Sequence, residues 1–247
     1  MNNIETPLPY CLRCSKRPRA GTPAVSVKNL SLSYPGGGRN VLNHLSFTVE
    51  IGSRVAILGA NGAGKSTLLK TLAGLITPSS GDVSIFGHPV GTCFHEVTYL
   101  PQRSEIDWDF PISLQKLVLT GCYIHLGWFL RPKEPHYQKT KEAMKLLGLE
   151  HLGGRQIGQL SVGQQQRALL ARALVHGAEL YLLDEPLNAV DLETQSIIRE
   201  TFDKLKQAGK TLIVATHDRE HIETDYDEAI FIQDGKLVNI VHINHSK

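Results

Sequence analysis

A glycine-rich run at residues 59–67, GANGAGKST, has the residue types and spacing of a phosphate-binding loop. It fits G-x-x-x-x-G-K-[ST] and lies between a predicted strand and a predicted helix, which is the context that this motif requires. Because glycines lack Cβ atoms, the backbone can wrap phosphates and point its N–H groups inward, and the helix N-terminus favours anions. The lysine of such a loop reaches the β- and γ-phosphates, and the hydroxyl after it ligates Mg²⁺. The residues predicted to bind a nucleotide here are Gly59, Ala60, Asn61, Gly62, Ala63, Gly64, Lys65, Ser66 and Thr67.

Two acids that close an apolar run form the second candidate group. The stretch LYLLDEP, residues 180–186, predicts a buried strand that ends in Asp184 and Glu185. Asp184 is placed to hold Mg²⁺ through water, as in other phosphate-loop sites. Glu185 is placed to polarise a water for attack on the γ-phosphate. The alternative is that both acids merely terminate a strand.

The elements that must position these residues follow an alternating pattern. Continuous apolar runs at residues 54–59, 180–186 and 211–218 predict strands buried on both faces, and helical patterns lie between them. Buried strands alternating with helices indicate βαβ units and a parallel sheet. Before them, two alternating strands around PGGGR predict an antiparallel sheet. Residues 103 to about 157 break this rhythm. Helical patterns at 112–129 and 137–149, separated by the proline-containing segment 130–136, predict a small inserted helical lobe.

Charge and cysteine usage limit the possible partners. The chain has 247 residues and a net charge of +2, with its basic excess in residues 1–23. Acidic and basic residues nearly balance over the remainder, which argues against a nucleic-acid footprint. Cys11 and Cys14 could bind zinc but have no second ligand pair at matching spacing, so residues 1–23 are predicted to be a disordered basic tail. Residues 241–247 are predicted to be a C-terminal tail.

A further motif gives the chain a resemblance to a known family. LSVGQQQRALLARAL, residues 160–174, is similar to the signature motif of the ATP-binding subunits of ABC transporters, LSGGQ in the family. The resemblance covers residues 25 to about 240 and takes in all the motifs in the family's order. It implies an α/β fold of the P-loop NTPase type, with a RecA-like core, an N-terminal antiparallel β subdomain and an inserted helical subdomain. An ABC ATP-binding domain is therefore expected over residues 24–240.

The resemblance implies an ATP-driven homodimer in which each ATP lies between the phosphate loop of one subunit and the signature of the other. The departure from the family is Val162, where a glycine is usual; a β-branched residue is costly there if the position needs a positive φ. An ordinary helix start capped by Ser161 is the alternative to a signature motif. The residues expected to make contacts across the dimer are Ser161, Gly163, Gln164 and Asp191.

Other positions match family roles one by one. Tyr34 matches an aromatic residue that stacks on adenine, although a lone tyrosine at a strand end is usually packing. Gln102 matches the loop glutamine that senses Mg²⁺ and the attacking water. His217, in VATHD, matches the switch histidine that hydrogen-bonds the γ-phosphate. The resemblance therefore implies Glu185, His217 and Gln102 as catalytic residues, and Ser66, Gln102 and Asp184 around Mg²⁺.

Two aromatic residues follow Gln102 in the stretch PQRSEIDWDFPIS. In the family, the surface beside this glutamine receives a short helix from the membrane subunit. Trp108 and Phe110 are therefore candidates for partner coupling, since aromatic residues are favoured at interface cores. The alternative is that Trp108 fills the core of the helical lobe itself.

Together these patterns predict the ATPase subunit of an ABC importer for manganese, zinc or iron. The expected cofactors are ATP and Mg²⁺, and the expected partners are a second copy of this chain and integral membrane permease subunits. An extracytoplasmic metal-binding protein would belong to the same system. The expected location is the cytoplasmic face of the membrane, peripherally bound, with no nucleic acid partner. A soluble ABC ATPase acting on ribosomes or DNA is the alternative, and a phosphate-loop kinase for a small molecule is a third.

Overall fold

The computed structural model describes residues 21–34, 40–126 and 130–243. The strands are β1 Val25–Ser33, β2 Asn40–Val49, β3 Arg54–Leu58, β4 Ser80–Ile85, β5 His88–Pro89, β6 Val97–Leu100, β7 Leu180–Asp184, β8 Thr211–Thr216, β9 Glu228–Gln233 and β10 Lys236–His242. A four-stranded antiparallel sheet has the order β2-β1-β4-β5, and a six-stranded sheet has the order β10-β9-β3-β8-β7-β6. In the larger sheet, β10 pairs antiparallel with β9 and the other neighbours pair in parallel. The predicted fold class is thus confirmed.

The helices of the described residues are α1 Lys65–Leu72, α2 Leu114–Leu119, α3 Tyr123–Leu126, α4 Glu134–Leu146, α5 Val162–His176, α6 Leu192–Gln207 and α7 Ile222–Asp225. Helices α1, α5 and α6 contact the larger sheet, and α2 and α4 pack against α5. None of the described helices combines the length and the apolarity that a membrane crossing requires.

Strand β3 shows why its sequence is apolar without alternation. All five of its residues are buried. Ala56 and Leu58 belong to one hydrophobic core, whereas Val55 and Ile57 belong to a second core on the opposite face of the sheet. A strand covered on both faces has no polar side, which is typical of parallel sheets flanked by other layers. Strands β7 and β8 are also buried along almost their whole length.

The parallel register brings the candidate residues to one edge of the sheet. Leu58 at the end of β3 is aligned with Thr216 of β8. Asp184 at the end of β7 is aligned with Ala215 of β8. The phosphate loop, Glu185 and His217 each follow directly after one of these strand ends. Ligands of open α/β sheets bind outside the carboxyl ends of the strands, so the fold places the site where such ligands bind.

The segment between β6 and α5 holds α2, α3 and α4, which pack against α5. The sequence predicted one helix over residues 112–129, but α2 and α3 are separated by a tight turn at residues 120–122. A Cβ on Gly121 in this turn would lie 2.2 Å from the carbonyl oxygen of Arg172, so the glycine lets the turn touch the backbone of α5. The division into a core and an inserted lobe remains a prediction.

Helix α4 begins at Glu134, three residues earlier than its apolar pattern predicted. Pro135 lies in the first turn, where a proline loses no helical hydrogen bond. The N–H of Lys133 donates to Nδ1 of His136 at 3.0 Å, which caps the helix start. The proline-containing segment therefore initiates the helix instead of separating it from α3.

Several predictions fall outside the described residues. These concern residues 1–20 of the predicted basic tail, with Cys11 and Cys14, the turn at residues 35–39, the end of the predicted helix at residues 127–129, and residues 244–247.

Candidate nucleotide-binding and hydrolysis site

The phosphate loop needs glycine at two positions for different reasons. A Cβ on Gly59 would lie 2.4 Å from the carbonyl oxygen of Ile232 in β9, so the loop can leave the sheet here only without a side chain. Gly64 is the N-cap of α1 and has a φ of 101°, in the left-handed region that favours glycine. The loop is thus held against β9 at its start and turned into the helix at its end.

Lys65 lies across the mouth of this loop. Its side chain is buried, and its ammonium group donates hydrogen bonds to the carbonyl oxygens of Gly59 at 2.8 Å and Ala60 at 3.1 Å. The same nitrogen is 3.8 Å from Oε1 of Glu185. A buried ammonium held by backbone carbonyls and a carboxylate is positioned to bind a polyanion as a point charge.

Asp184 has the properties of a ligand for a divalent cation. Tyr99 in β6 donates from its hydroxyl to Oδ2 of Asp184 at 3.3 Å. The other carboxylate oxygen of Asp184, Oδ1, is buried without a hydrogen-bond partner among the described residues. Burial raises the pKa of Asp184, since an ionised carboxylate is poorly stabilised away from water. Gln102 donates from Nε2 to Oγ of Ser66 at 3.5 Å, so two further oxygen-bearing side chains adjoin each other beside this carboxylate.

These donors fit Mg²⁺, which prefers oxygen ligands and a small number of carboxylates. An orphaned buried carboxylate oxygen is costly unless a cation or a donor satisfies it. The sequence did not predict Tyr99. The only signal was a tyrosine in the strand that ends just before Gln102, and a phenol placed there can remain neutral because burial raises its pKa.

Glu185 is held in a strained conformation with its carboxylate facing the loop. Its φ is 48°, which is unusual for a residue with a side chain, and its N–H donates to the carbonyl oxygen of Ala215 at 3.0 Å. Asn188 donates from Nδ2 to Oε2 at 2.9 Å, and Nδ1 of His217 lies 3.7 Å from Oε1. Such outliers cluster at functional sites. Asn188, which orients the carboxylate, was missed because nothing in NAVD marks an asparagine as a partner of an acid three residues earlier.

Tyr34 lies at the edge of this group. Its side chain is 47% exposed, and its hydroxyl shares a 3.4 Å hydrogen bond with Oγ1 of Thr67. An exposed ring next to the phosphate loop is available for stacking, whereas a packing residue would be buried.

The signature residues start helix α5. Ser161 is the N-cap and forms a reciprocal capping pair with Gln164, at 3.3 Å from Gln164 N to Ser161 Oγ and 3.0 Å from Ser161 N to Gln164 Oε1. Val162 is the first helical residue and is 37% exposed. It is not among the described residues with a positive φ. The conditional cost expected for a β-branched residue therefore does not apply.

Gly163 is buried against the start of α6 in the same chain. A Cβ there would lie 2.6 Å from Oγ1 of Thr194 and 3.1 Å from Oδ2 of Asp191. Asp191 caps α6 by accepting from the N–H of Thr194 at 2.8 Å, and this hydrogen bond lowers its pKa. Within the described part of one chain, no hydrogen bond or ion pair joins residues 161–164 to the phosphate loop.

The segment after Gln102 is tied to the body at three points. Arg103 donates from Nη1 to Oε1 of Gln165 in α5 at 2.9 Å, and Lys70 of α1 lies 2.7 Å from Oε1 of Glu105. Trp108 donates from its indole nitrogen to the carbonyl oxygen of Arg103 at 2.9 Å and packs against the core around α2 and α5. Phe110 is 55% exposed. The two aromatic residues therefore differ in environment.

The geometry defines a class of protein. The site combines a glycine-rich loop between a parallel strand and a helix, a buried lysine, an orphaned carboxylate and a glutamate paired with a histidine. This combination is a phosphate-loop site for nucleotide hydrolysis. The sequence model described as ABC transporter matches residues 42–188. The chain belongs to the ABC transporter family and is one of its ATP-hydrolysing cassettes.

Individual relatives agree over most of the chain. The chain is 43% identical over 209 residues to the zinc transport system ATP-binding protein TroB of Treponema pallidum, covering 85% of this chain and 78% of TroB. It is 40% identical over 213 residues to the manganese transport system ATP-binding protein MntB of Bacillus subtilis, covering 86% and 84%. A solved dimeric ATP-binding cassette in a post-hydrolysis state with ADP and Pi superposes with a TM-score of 0.80 at 26% identity, covering 90% of this chain and all of that one.

Proposed function

We propose that this chain is the ATP-hydrolysing subunit of a metal-ion ABC importer for manganese, zinc or iron. The observation that carries the proposal is the 40–43% identity to the manganese and zinc transport proteins over more than four fifths of the chain. Two copies would act on membrane permease subunits from the cytoplasmic face of the membrane. An extracytoplasmic metal-binding protein would deliver the cargo.

Nucleotide would bind along the phosphate loop. Adenine would stack on Tyr34, and Lys65 would exchange its loop carbonyls for the β- and γ-phosphates. Ser66, Gln102 and Asp184 would hold Mg²⁺. When bound, this ion neutralises charge on the β- and γ-phosphates.

Hydrolysis would depend on the three side chains around the γ-phosphate position. Glu185, fixed by its own backbone and by Asn188, would accept the proton of the attacking water. His217 would hydrogen-bond the γ-phosphate. Its Nδ1, which lies 3.7 Å from Oε1 of Glu185, would also keep the Glu185 carboxylate in position. Gln102 would orient the same water. Catalysis in this scheme is positioning together with charge stabilisation.

The second subunit would complete the site. Ser161 lies exposed at the N-terminus of α5, where its hydroxyl and the helix dipole suit a phosphate. Gly163 would act by letting α5 approach Asp191 closely in its own chain, with Gln164 fixing Ser161. Asp191 would then place the loop before α6 against the partner subunit.

The permease would contact the surface beside Gln102. Phe110 supplies exposed apolar area there, and aromatic side chains suit the centre of an interface. Trp108 would support this surface from inside, since its ring packs against the core and its nitrogen holds the turn. This refines the predicted coupling pair into one contacting residue and one supporting residue.

The proposal predicts ATP-dependent metal uptake. Proteoliposomes containing this chain and a cognate permease, with a metal-binding protein on the opposite side, should take up radioactive Mn²⁺, Zn²⁺ or Fe²⁺ when ATP is supplied on the cassette side. Glu185→Gln should abolish uptake, and the conservative surface variant Glu179→Gln should not. Active hydrolysis with no uptake of any of the three metals would contradict the metal assignment. Recovery of the chain with ribosomes instead of a membrane protein would favour the soluble alternative.

A further inference from the structure

The segment that carries His217 is anchored beside the histidine by one contact, from the N–H of Asp218 to Oγ1 of Thr216 at 3.1 Å. Residues 217–225 follow β8 and include α7, and His217 is 53% exposed. Among the described residues, its ion-pair contact is the 3.7 Å approach to Glu185. Inside the segment, Asp218 caps a turn by accepting from the N–H of Glu220 at 2.9 Å. A catalytic histidine on such a segment requires support from elsewhere in the fold.

That support comes from Arg199 in α6. Its guanidinium contacts both ends of the segment: Nη1 donates to Oδ2 of Asp225, and Nη2 lies 3.8 Å from Oδ2 of Asp218, the residue next to His217. Arg199 is only 19% exposed, so its charge is poorly screened by solvent. One planar cation bridging two carboxylates gives a defined geometry that a lysine would not reproduce.

We propose that Arg199 is a positioning residue for hydrolysis, which fixes the segment 217–225 so that His217 stays in reach of Glu185. The inference rests on the proposed catalytic role of His217. Asp191 caps α6, so the same helix links the loop expected at the dimer interface to the segment that carries His217. Among the described residues, no hydrogen bond or ion pair joins Arg199 to Glu185, so its effect would pass through His217.

A matched variant on the same helix separates positioning from general stability. Lys206 of α6 lies 2.6 Å from Oδ1 of Asp227, beyond the end of the segment. Arg199→Ala should lower kcat for ATP by roughly 10- to 100-fold with little change in KM, because small misplacements of catalytic groups cost about this much. Lys206→Ala should change kcat by no more than about twofold. In Arg199→Ala, Oδ2 of Asp225 would still lie 3.7 Å from Nη2 of Arg54, so the segment 217–225 would retain one ion pair at that end.

A double-mutant cycle gives a readout that a merely structural role would not move. In a His217→Ala background, Arg199→Ala should lower kcat by no more than about twofold, because the residue it positions is gone. Arg199→Lys should recover part of the activity. If Arg199→Ala is poorly folded, Asp218→Asn keeps an oxygen that can accept from the N–H of Glu220 but removes the charge that faces Arg199 and His221, and it should also lower kcat.

The outcomes distinguish this inference from the proposed function. Equal kcat in Arg199→Ala and Lys206→Ala, or a full additional loss in the His217→Ala background, would overturn the positioning role. A wild-type chain that hydrolyses no ATP, or a fully active His217→Ala variant, would instead overturn the catalytic assignment on which it rests.

Discussion

Glu185→Gln is expected to bind ATP as tightly as the wild-type chain and to hydrolyse it at least about 100-fold more slowly. The carboxylate is the only acid placed beside both the lysine and the histidine of the described site, at 3.8 Å from Lys65 and 3.7 Å from His217. Glutamine keeps its shape and can still pair with Asn188, but it cannot accept a proton. Phosphate release under saturating ATP and nucleotide affinity measured by fluorescence would separate the two effects.

Glu179→Gln is the matched control for this variant. Glu179 lies just before β7, at the end of the strand opposite to Glu185. Its carboxylate pairs with Lys210 at 2.5 Å and lies away from the phosphate loop. The Glu179→Gln variant should hydrolyse ATP at the wild-type rate. Normal turnover in Glu185→Gln would remove Glu185 from its assigned role, and equal losses in both variants would indicate a general defect.

Asp184→Asn is expected to abolish Mg²⁺-dependent hydrolysis and, without nucleotide, to make the chain more stable. Burial raises the pKa of Asp184 above its ordinary value of 3.8, so the ionised carboxylate opposes folding. This penalty is absent below the unfolded pKa and complete above the folded pKa. The variant should therefore gain on the order of 1 kcal/mol of unfolding free energy at pH 8, and this gain should shrink as the pH falls toward 3.8.

Thermal unfolding with and without Mg²⁺ and ATP measures this trade-off. The wild-type chain should gain the larger increase in Tm on adding both, because a bound ligand stabilises only the state that binds it. Without nucleotide at pH 8, a Tm of the variant below that of the wild-type chain would contradict the conclusion that the ionised Asp184 carboxylate destabilises the fold until a cation binds.

The parts of the site that depend on local chemistry were predictable from sequence. The phosphate loop, the acids at the end of β7 and the histidine after β8 each belong to a short motif that is recognised together with the strand before it. Continuous apolar runs identified the parallel strands because a strand covered on both faces leaves no polar alternation. A helix cap at Ser161 was the alternative to a signature motif, and Ser161 does cap α5.

Contacts between distant elements could not be predicted in the same way. Tyr99 meets Asp184, and Arg199 meets Asp218, only because strand order and helix packing bring them together. The pairing of Arg103 with Gln165 depends likewise on how α5 lies against the segment after Gln102. No sequence pattern around either residue of such a pair predicts which residue it contacts.

Backbone detail decided the two points that the sequence left conditional. Val162 begins a regular helix, so its branched side chain is accommodated without strain. Trp108 packs partly into the core, whereas Phe110 remains exposed. The core-packing alternative therefore applies to Trp108, and partner coupling by Phe110 remains a prediction.

The central claim is that two copies of this chain close around ATP. The most direct test is the mass in solution of Glu185→Gln, which should bind ATP without consuming it, with and without Mg²⁺ and ATP. Light scattering should give one chain, 27.3 kDa, without nucleotide and twice that mass with it. A mass that stays at one chain with saturating nucleotide, even when the permease is supplied, would contradict the account.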